Sequence, residues 1–143
     1  ENGLSDLKSW LAKQMPLGPY LFDPNELSDL PVRLLAAEIL REKLFLNLHQ
    51  ELPYQMTVET ESWVEREDGS AEVRLSVFVA REGHRGIVLG KGGGTIKRIG
   101  QAARMELEKV LDQRIHLMSH VKYRKDWMDD RDRYTAWNLD FNA

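Results

Sequence analysis

The chain has 143 residues, 42% of them hydrophobic, no cysteine and a formal net charge of −3. That length suits one domain, or one domain with an attached fragment, and the composition can fill a sizeable core. Disulfides and cysteine-based zinc sites are excluded, and no apolar run approaches the roughly 18 residues that mark a membrane-spanning helix. The N-terminus lacks the basic region followed by an apolar run that marks a signal peptide. A small negative charge argues against nucleic acid until its distribution is read. Residues 81–125 hold 11 Lys and Arg against 4 Asp and Glu, a local charge of +7, while the rest of the chain holds 9 against 19. Such a basic segment is the footprint of a polyanion-binding surface, or else a solvated face with no partner.

In chain order, Leu4, Leu7, Trp10, Leu11 and Met15 recur at helical spacing, with Ser5 or Asp6 able to cap the start. Residues 16–31 hold four prolines and read as an ordered connector, because Tyr20, Leu21 and Phe22 need burial. A helix with a connector at a chain start looks like the tail of a preceding domain. A second helix follows Ser28-Asp29, with Pro31 in its first turn and Leu34, Leu35, Ile39, Leu40, Leu44 and Leu48 along residues 32–50. Residues 55–65 switch to period two, placing Met56, Val58, Thr60, Ser62 and Val64 on one face and Glu59 and Glu61 on the other. Glu67-Asp68-Gly69-Ser70 is a hairpin turn, and residues 71–81 alternate again through Val73, Leu75, Val77 and Val79. Ile87-Val88-Leu89 fits a short helical turn. After the glycines, Ile96, Ile99, Ala103, Leu107, Val110 and Leu111 form a helical stripe opposite Lys97, Arg98, Gln101, Arg104 and Glu108. A third strand follows, with Ile115, Leu117, Val121 and Tyr123 against His116, Met118, His120, Lys122 and Arg124. A short helix from Asp129 to Trp137 is expected in the tail.

The distinctive segment is Val88-Leu89-Gly90-Lys91-Gly92-Gly93-Gly94-Thr95-Ile96. Glycines at 90 and 93 let the backbone approach a ligand closely and adopt unusual φ/ψ values. The helix that starts just after them points free N–H groups and its positive dipole end at the same place, and Lys91 adds a charge. Together these describe a phosphate grip. The spacing excludes a nucleotide P-loop: Gly86 stands one residue too close to Gly90, and Gly92 occupies the place of the magnesium-binding hydroxyl. A dinucleotide fingerprint lacks its preceding strand. A purely structural turn is the remaining reading.

These residues resemble the V-I-G-x-x-G-x-x-I signature of KH domains, whose glycine loop clamps about four nucleotides of single-stranded nucleic acid. The element order is similar to the type II KH arrangement, implying an α/β (α+β) fold with a three-stranded mixed sheet and helices packed on one face. The stretches AEILREK and ELPY ahead of GHRGIVLGKGG narrow the resemblance to the C-terminal part of the bacterial Era family of GTPases, over about residues 16–127. The resemblance implies that residues 1–30 are the tail and connector of a preceding GTPase domain and that residues 31–143 are a type II KH RNA-binding domain. It implies as partners the 3′ end of 16S ribosomal RNA, the small ribosomal subunit whose assembly the family assists, and the N-terminal GTPase domain of the parent chain. GTP and Mg belong to that domain, so no cofactor is expected here. No DNA partner is expected, and the location is cytoplasmic, with at most peripheral contact at the inner membrane. Gly94 departs from the pattern, since relatives often carry a basic or bulkier residue nearby, and this suggests a more mobile loop.

The RNA-binding candidates are Gly90, Lys91, Gly92 and Gly93 with Lys97 and Arg98 for the backbone. Ile87, Leu89 and Ile96 are candidates for an apolar groove floor, with ordinary core as the alternative. Arg85 and His84 precede the short helix and could reach RNA, with an exposed loop position as the alternative for His84, and Lys122 and Arg124 lie on the polar face of the third strand, either lining the groove or solvated. His116 and His120 are about 13 Å apart on a strand and cannot share a metal ion. No nucleophile–base set is apparent, so no catalytic residue is assigned. Two alternatives stay open: an enzyme fragment that holds a mononucleotide phosphate in the loop, and a degenerate KH protein-interaction domain anchored by Leu89, Trp127 or Trp137.

Overall fold

The computed structural model describes residues 3–18, 32–49 and 52–125. The chain divides into two compact units, Glu1–Leu30 and Pro31–Ala143. In the first, α1 (Leu4–Gln14) starts at Gly3, which adopts the left-handed conformation and makes no side-chain cap, so neither Ser5 nor Asp6 caps it. The connector after residue 18, Pro31 and the expected Asp129–Trp137 helix lie outside the described residues.

The second unit is built on three strands in the order β1 (Met56–Glu65), β2 (Ala71–Val79), β3 (Ile115–Tyr123). β1 and β2 pair antiparallel across a tight hairpin at Gly69, φ 76°. Its Asp68 carboxylate accepts hydrogen bonds from the Ser70 N–H (3.0 Å) and hydroxyl (2.6 Å), the side-chain chemistry that favours Asp in turns. β3 is parallel to β2, so the sheet is mixed, as expected. A parallel partner cannot be reached by a hairpin, and the crossover carries α3 (Glu82–Leu89) and α4 (Gly94–Leu111). That crossover delivers the glycine loop to the margin of the sheet.

The apolar face of β2 decides where the core lies. Val73, Leu75, Val77 and Val79 alternate along the strand and are all fully buried. Against them pack Leu40 and Leu44 of α2 (Val32–Asn47) and Ile99, Ala103 and Leu107 of α4. Ala36 and Ala37, also buried on α2, do not stand out in a stripe of leucines. Truncating Leu40, Leu44 or Leu107 to Ala costs about 2–5 kcal/mol in such a setting.

β1 does not keep one apolar face along its length. Its register against β2 slips between Thr60 and Ser62, a bulge that leaves Glu61 unpaired. Up to Thr60 the expected face holds, with Met56 and Val58 buried. Beyond it Ser62 sits opposite Arg74 and Val64 opposite Glu72, on the face away from the core, and Val64 is exposed. Trp63 takes the core side and packs against it. One extra residue inverts every later side chain, because the strand period is two.

Candidate nucleic-acid interface

The loop between α3 and α4 is shaped by glycine at three of its four positions, 90, 92 and 93. Gly90 has φ 71° and ψ 179°, Gly92 φ 58°, and Gly93 φ 76°. The loop closes on itself, Gly90 N–H donating to Gly86 O (2.9 Å) and Gly93 N–H to Gly90 O (3.1 Å). A Cβ on Gly90 would lie 2.1 Å from Thr95 Oγ1, so this position is closed by sterics as well as by dihedral angle. Around Gly92 and Gly93 the space is open. Gly94 differs from its neighbours. It has ordinary helical angles, φ −63° and ψ −36°, and is the first residue of α4. It belongs to the helix that follows the loop, and its backbone makes no demand for glycine.

Beside the loop runs a cleft of about 620 Å³ between α4 and β3, within the roughly 300–1,000 Å³ typical of ligand sites. From α4 it is lined by Ile96, Lys97, Gly100, Gln101 and Arg104, and from β3 by Ile115 to Ser119. β3 is the terminal strand, so among the described residues its outer edge pairs with no strand and offers backbone N–H and C=O groups. None of the lining residues is acidic, and Lys91 and Lys97 are exposed and make no ion pair among the described residues. The groove therefore joins cationic side chains, a glycine loop able to meet phosphates, an apolar floor and an open strand edge.

The two helix turns after the loop sort the expected residues. Ile96 is buried in the core cluster and also lines the groove floor, so both readings of it apply. Leu89 is partly buried against the core. Arg98 turns away from the groove, donating to Asn47 Oδ1 at 2.7 Å, and Ile87 is exposed on the same flank as Arg98. Arg85 and His84 do not precede the helix but lie within α3, which begins at Glu82; His84 is half-buried, and Arg85 is exposed and lies 3.6 Å from Glu82. Lys122 projects from the sheet face opposite the helices, paired with Glu61 and lying 6.0 Å from the Phe78 ring centre. Arg124 follows the strand, its guanidinium 5.6 Å from the same ring centre. Neither lines the groove.

The Glu61 carboxyl is held below its ordinary value near 4.5, first by the Lys122 ammonium and then by the Ser76 hydroxyl, which donates at 2.8 Å. The cluster is structural: the bulge carries Glu61 over the fully buried Ser76. Among the described residues no group of three or more His, Asp or Glu could hold a metal ion, and no helix is long and apolar enough to cross a membrane.

Gly100, Gln101, Arg104 and Ser119 were not singled out from the sequence as groove residues. Two signals were present. Gly100 interrupts a helical stripe where a larger residue would pack better, and Ser119 interrupts the apolar face of β3 between Leu117 and Val121. A Cβ on Gly100 would sit 3.3 Å from Ser119 Oγ and 3.8 Å from Leu117 Cδ2, so the two small residues mark where helix and strand draw together.

A mixed three-stranded sheet, a helical crossover broken by a glycine loop and a groove at the sheet edge define a KH domain. The KH domain family model matches residues 51–128, and the chain belongs to that family. Over nearly its whole length the chain is also similar to the bacterial GTPase Era. It is 48% identical to the Dinoroseobacter shibae protein over 139 residues and 53% identical to that of Afipia carboxidovorans over 140 residues. These alignments cover 97% and 98% of the chain but only 45% and 46% of the relatives, so the chain spans about half their length. Two solved structures match with 32% identity over 93% of the chain and 45% of theirs. One is Aquifex aeolicus Era bound to GDP.AlF4−, with TM-score 0.81. The other is Era in complex with MgGDPNP and nucleotides 1506–1542 of 16S ribosomal RNA, with TM-score 0.80.

Proposed function

We propose that this chain is the RNA-binding part of an Era-type GTPase and holds single-stranded 16S ribosomal RNA, near its 3′ end, in the groove between α4 and β3. The observation that carries this reading is the positive-φ loop Gly90–Gly93 directly before the turn of α4, Ile96 and Lys97, that lines a groove with basic residues, bounded by a strand edge that pairs with no strand among the described residues. The backbone of the loop and Lys91 meet phosphates, with Lys97 and Arg104 beside them. Bases lie on Ile96 and Gly100, and their edges are read by Gln101, Ser119 and the free edge of β3. Phosphate contacts set the register, and the base contacts carry specificity. The likeness to an Era chain solved with a 16S ribosomal RNA fragment supports the choice of RNA.

In this reading the chain catalyses nothing itself. GTP and Mg are handled by the portion of the relatives that it does not span, and its role is to anchor that activity on the small ribosomal subunit during assembly, in the cytoplasm. The test is a parallel titration with the 1506–1542 RNA fragment, GTP and ATP. Saturable binding of the RNA alone is expected. The double variant Lys91→Asp, Gly92→Asp should abolish it with the fold intact, because both sites are exposed, Gly92 has open space around it, and Asp tolerates positive φ better than most residues. Mononucleotide binding without RNA affinity, or RNA affinity that survives the double change, overturns the proposal.

A further inference from the structure

The loop has a second flank. On the side away from the groove, between the end of α2, α3 and the first turn of α4, lies another cleft of about 420 Å³. Consecutive residues on a helix point roughly 100° apart, and the start of α4 uses that to serve both sides. Ile96 and Lys97 face the groove, whereas Thr95 and Arg98 face this cleft. The first turn of α4, directly after the glycine loop, stands between them.

We propose that this cleft is a further nucleotide subsite, which receives the same RNA strand after it has crossed the loop. The inference rests on the RNA-binding reading above and extends it to a segment outside the groove. Several features fit a nucleotide. Ile87 is 58% exposed, an unusual place for an isoleucine, and offers an apolar surface beside the loop. Two imidazoles, His49 and His84, line the same cleft and are flat enough to stack on a base. His84 Nδ1 is buried and has no hydrogen-bond partner among the described residues. Arg98 supplies the charge for the adjoining phosphate, and Asn47 Oδ1 holds its guanidinium at the rim. Among the described residues no acidic side chain lines the cleft. The strand gripped by the loop thus has a basic and apolar receiving surface on each side.

The experiment uses the full chain and fluorescence anisotropy with the 1506–1542 fragment of 16S ribosomal RNA, shortened stepwise from either end to the smallest RNA that still binds. Wild type should gain about tenfold in affinity when that minimal RNA is lengthened in one direction, the scale of one stacked base. His49→Glu and His84→Ala should each lose this gain while binding the minimal RNA as wild type does. His49 is exposed, so H49E reports on the cleft even if H84A unfolds. The proposal is overturned if lengthening gives no gain in either direction, if the gain survives H49E, or if H49E weakens every RNA equally. If no RNA binds the wild-type chain at all, the RNA-binding reading falls with it.

Discussion

Gly90 and Thr95 approach so closely that a Cβ on the glycine would lie 2.1 Å from the threonine Oγ1, 2.7 Å from its Cβ and 3.0 Å from its backbone nitrogen. The start of α4 is thereby pressed onto the end of α3, which fixes the direction in which the loop presents its backbone. Gly90→Ala should destabilise the domain by more than the about 1–3 kcal/mol that a backbone at positive φ and extended ψ costs an L-residue, because the clash adds to the dihedral strain. Thr95→Gly in the same chain should restore only part of the loss, since the close nitrogen and the positive φ remain. Thermal melts of the two variants check this. Full rescue by the second change would show that the threonine side chain alone demands the glycine.

Gly94 is the converse case. It sits in ordinary helical backbone with nothing within 4 Å of its missing Cβ. Gly94→Ala should stabilise the domain by about 0.5–1 kcal/mol, by restricting the unfolded chain and favouring the helix. RNA affinity should be unchanged, measured by titration of the same variant. A loss of affinity with a gain in melting temperature would mean that binding requires the first turn of α4 to open.

Much of this arrangement was legible in the residues because each signal was local. The alternation of Val73, Leu75, Val77 and Val79, the Asp68-Gly69 turn and the glycine run each act within a few residues. The faces of β1 beyond Thr60 were not, because alternation is read on the assumption that a strand has no bulge, and the displaced Glu61 is held by Ser76 and Lys122, 15 and 61 residues away in sequence. The groove was half legible. Its loop announces itself through glycine chemistry, but its narrowest point is where Gly100 meets Ser119, whose smallness has meaning only once α4 is laid against β3. Arg98 shows the same limit: its direction is set by Asn47, 51 residues away.

Lys91 stands exposed at the tip of the loop and makes no ion pair among the described residues that contact with RNA would break. Lys91→Ala should weaken binding to all RNA sequences alike, because a phosphate contact carries no base information. The slope of log affinity against log salt concentration should become shallower by about 0.7, the counterion release expected for one phosphate of a single strand. Binding isotherms from low to high salt check both. A change in sequence preference with an unaltered slope would place Lys91 against a base.

The Glu61 cluster predicts an acid-sensitive contribution to stability. Lys122 and Ser76 hold the Glu61 carboxyl below its ordinary value near 4.5, so the folded protein binds its proton less readily than the unfolded chain does. Its contribution is therefore fully present above about pH 4.5 and is lost as the pH falls through the lower folded value. Glu61→Gln should flatten that part of the curve of stability against pH while lowering stability at neutral pH, where the charge contributes. Denaturant melts across pH 3–7 measure it. An unchanged acid limb in the variant would assign that sensitivity to other depressed carboxyls, such as Glu72 beside Arg66 and Arg74.

Gly100 tests the groove where it is narrowest. A methyl group there would lie 3.3 Å from Ser119 Oγ, a contact that a small rotation of the hydroxyl can relieve, and alanine is favoured over glycine in a helix by about 1 kcal/mol. Gly100→Ala should therefore leave stability within about 1 kcal/mol of wild type. Its effect belongs on the other measurement, because the added methyl enters the floor on which a base would lie. RNA affinity should fall modestly in Gly100→Ala and by at least about tenfold in Gly100→Leu, whose side chain fills the space between α4 and β3, a loss comparable to one stacked base. The melting temperature of each variant separates this from unfolding. RNA binding at wild-type strength by a folded Gly100→Leu protein would move the bases out of this groove.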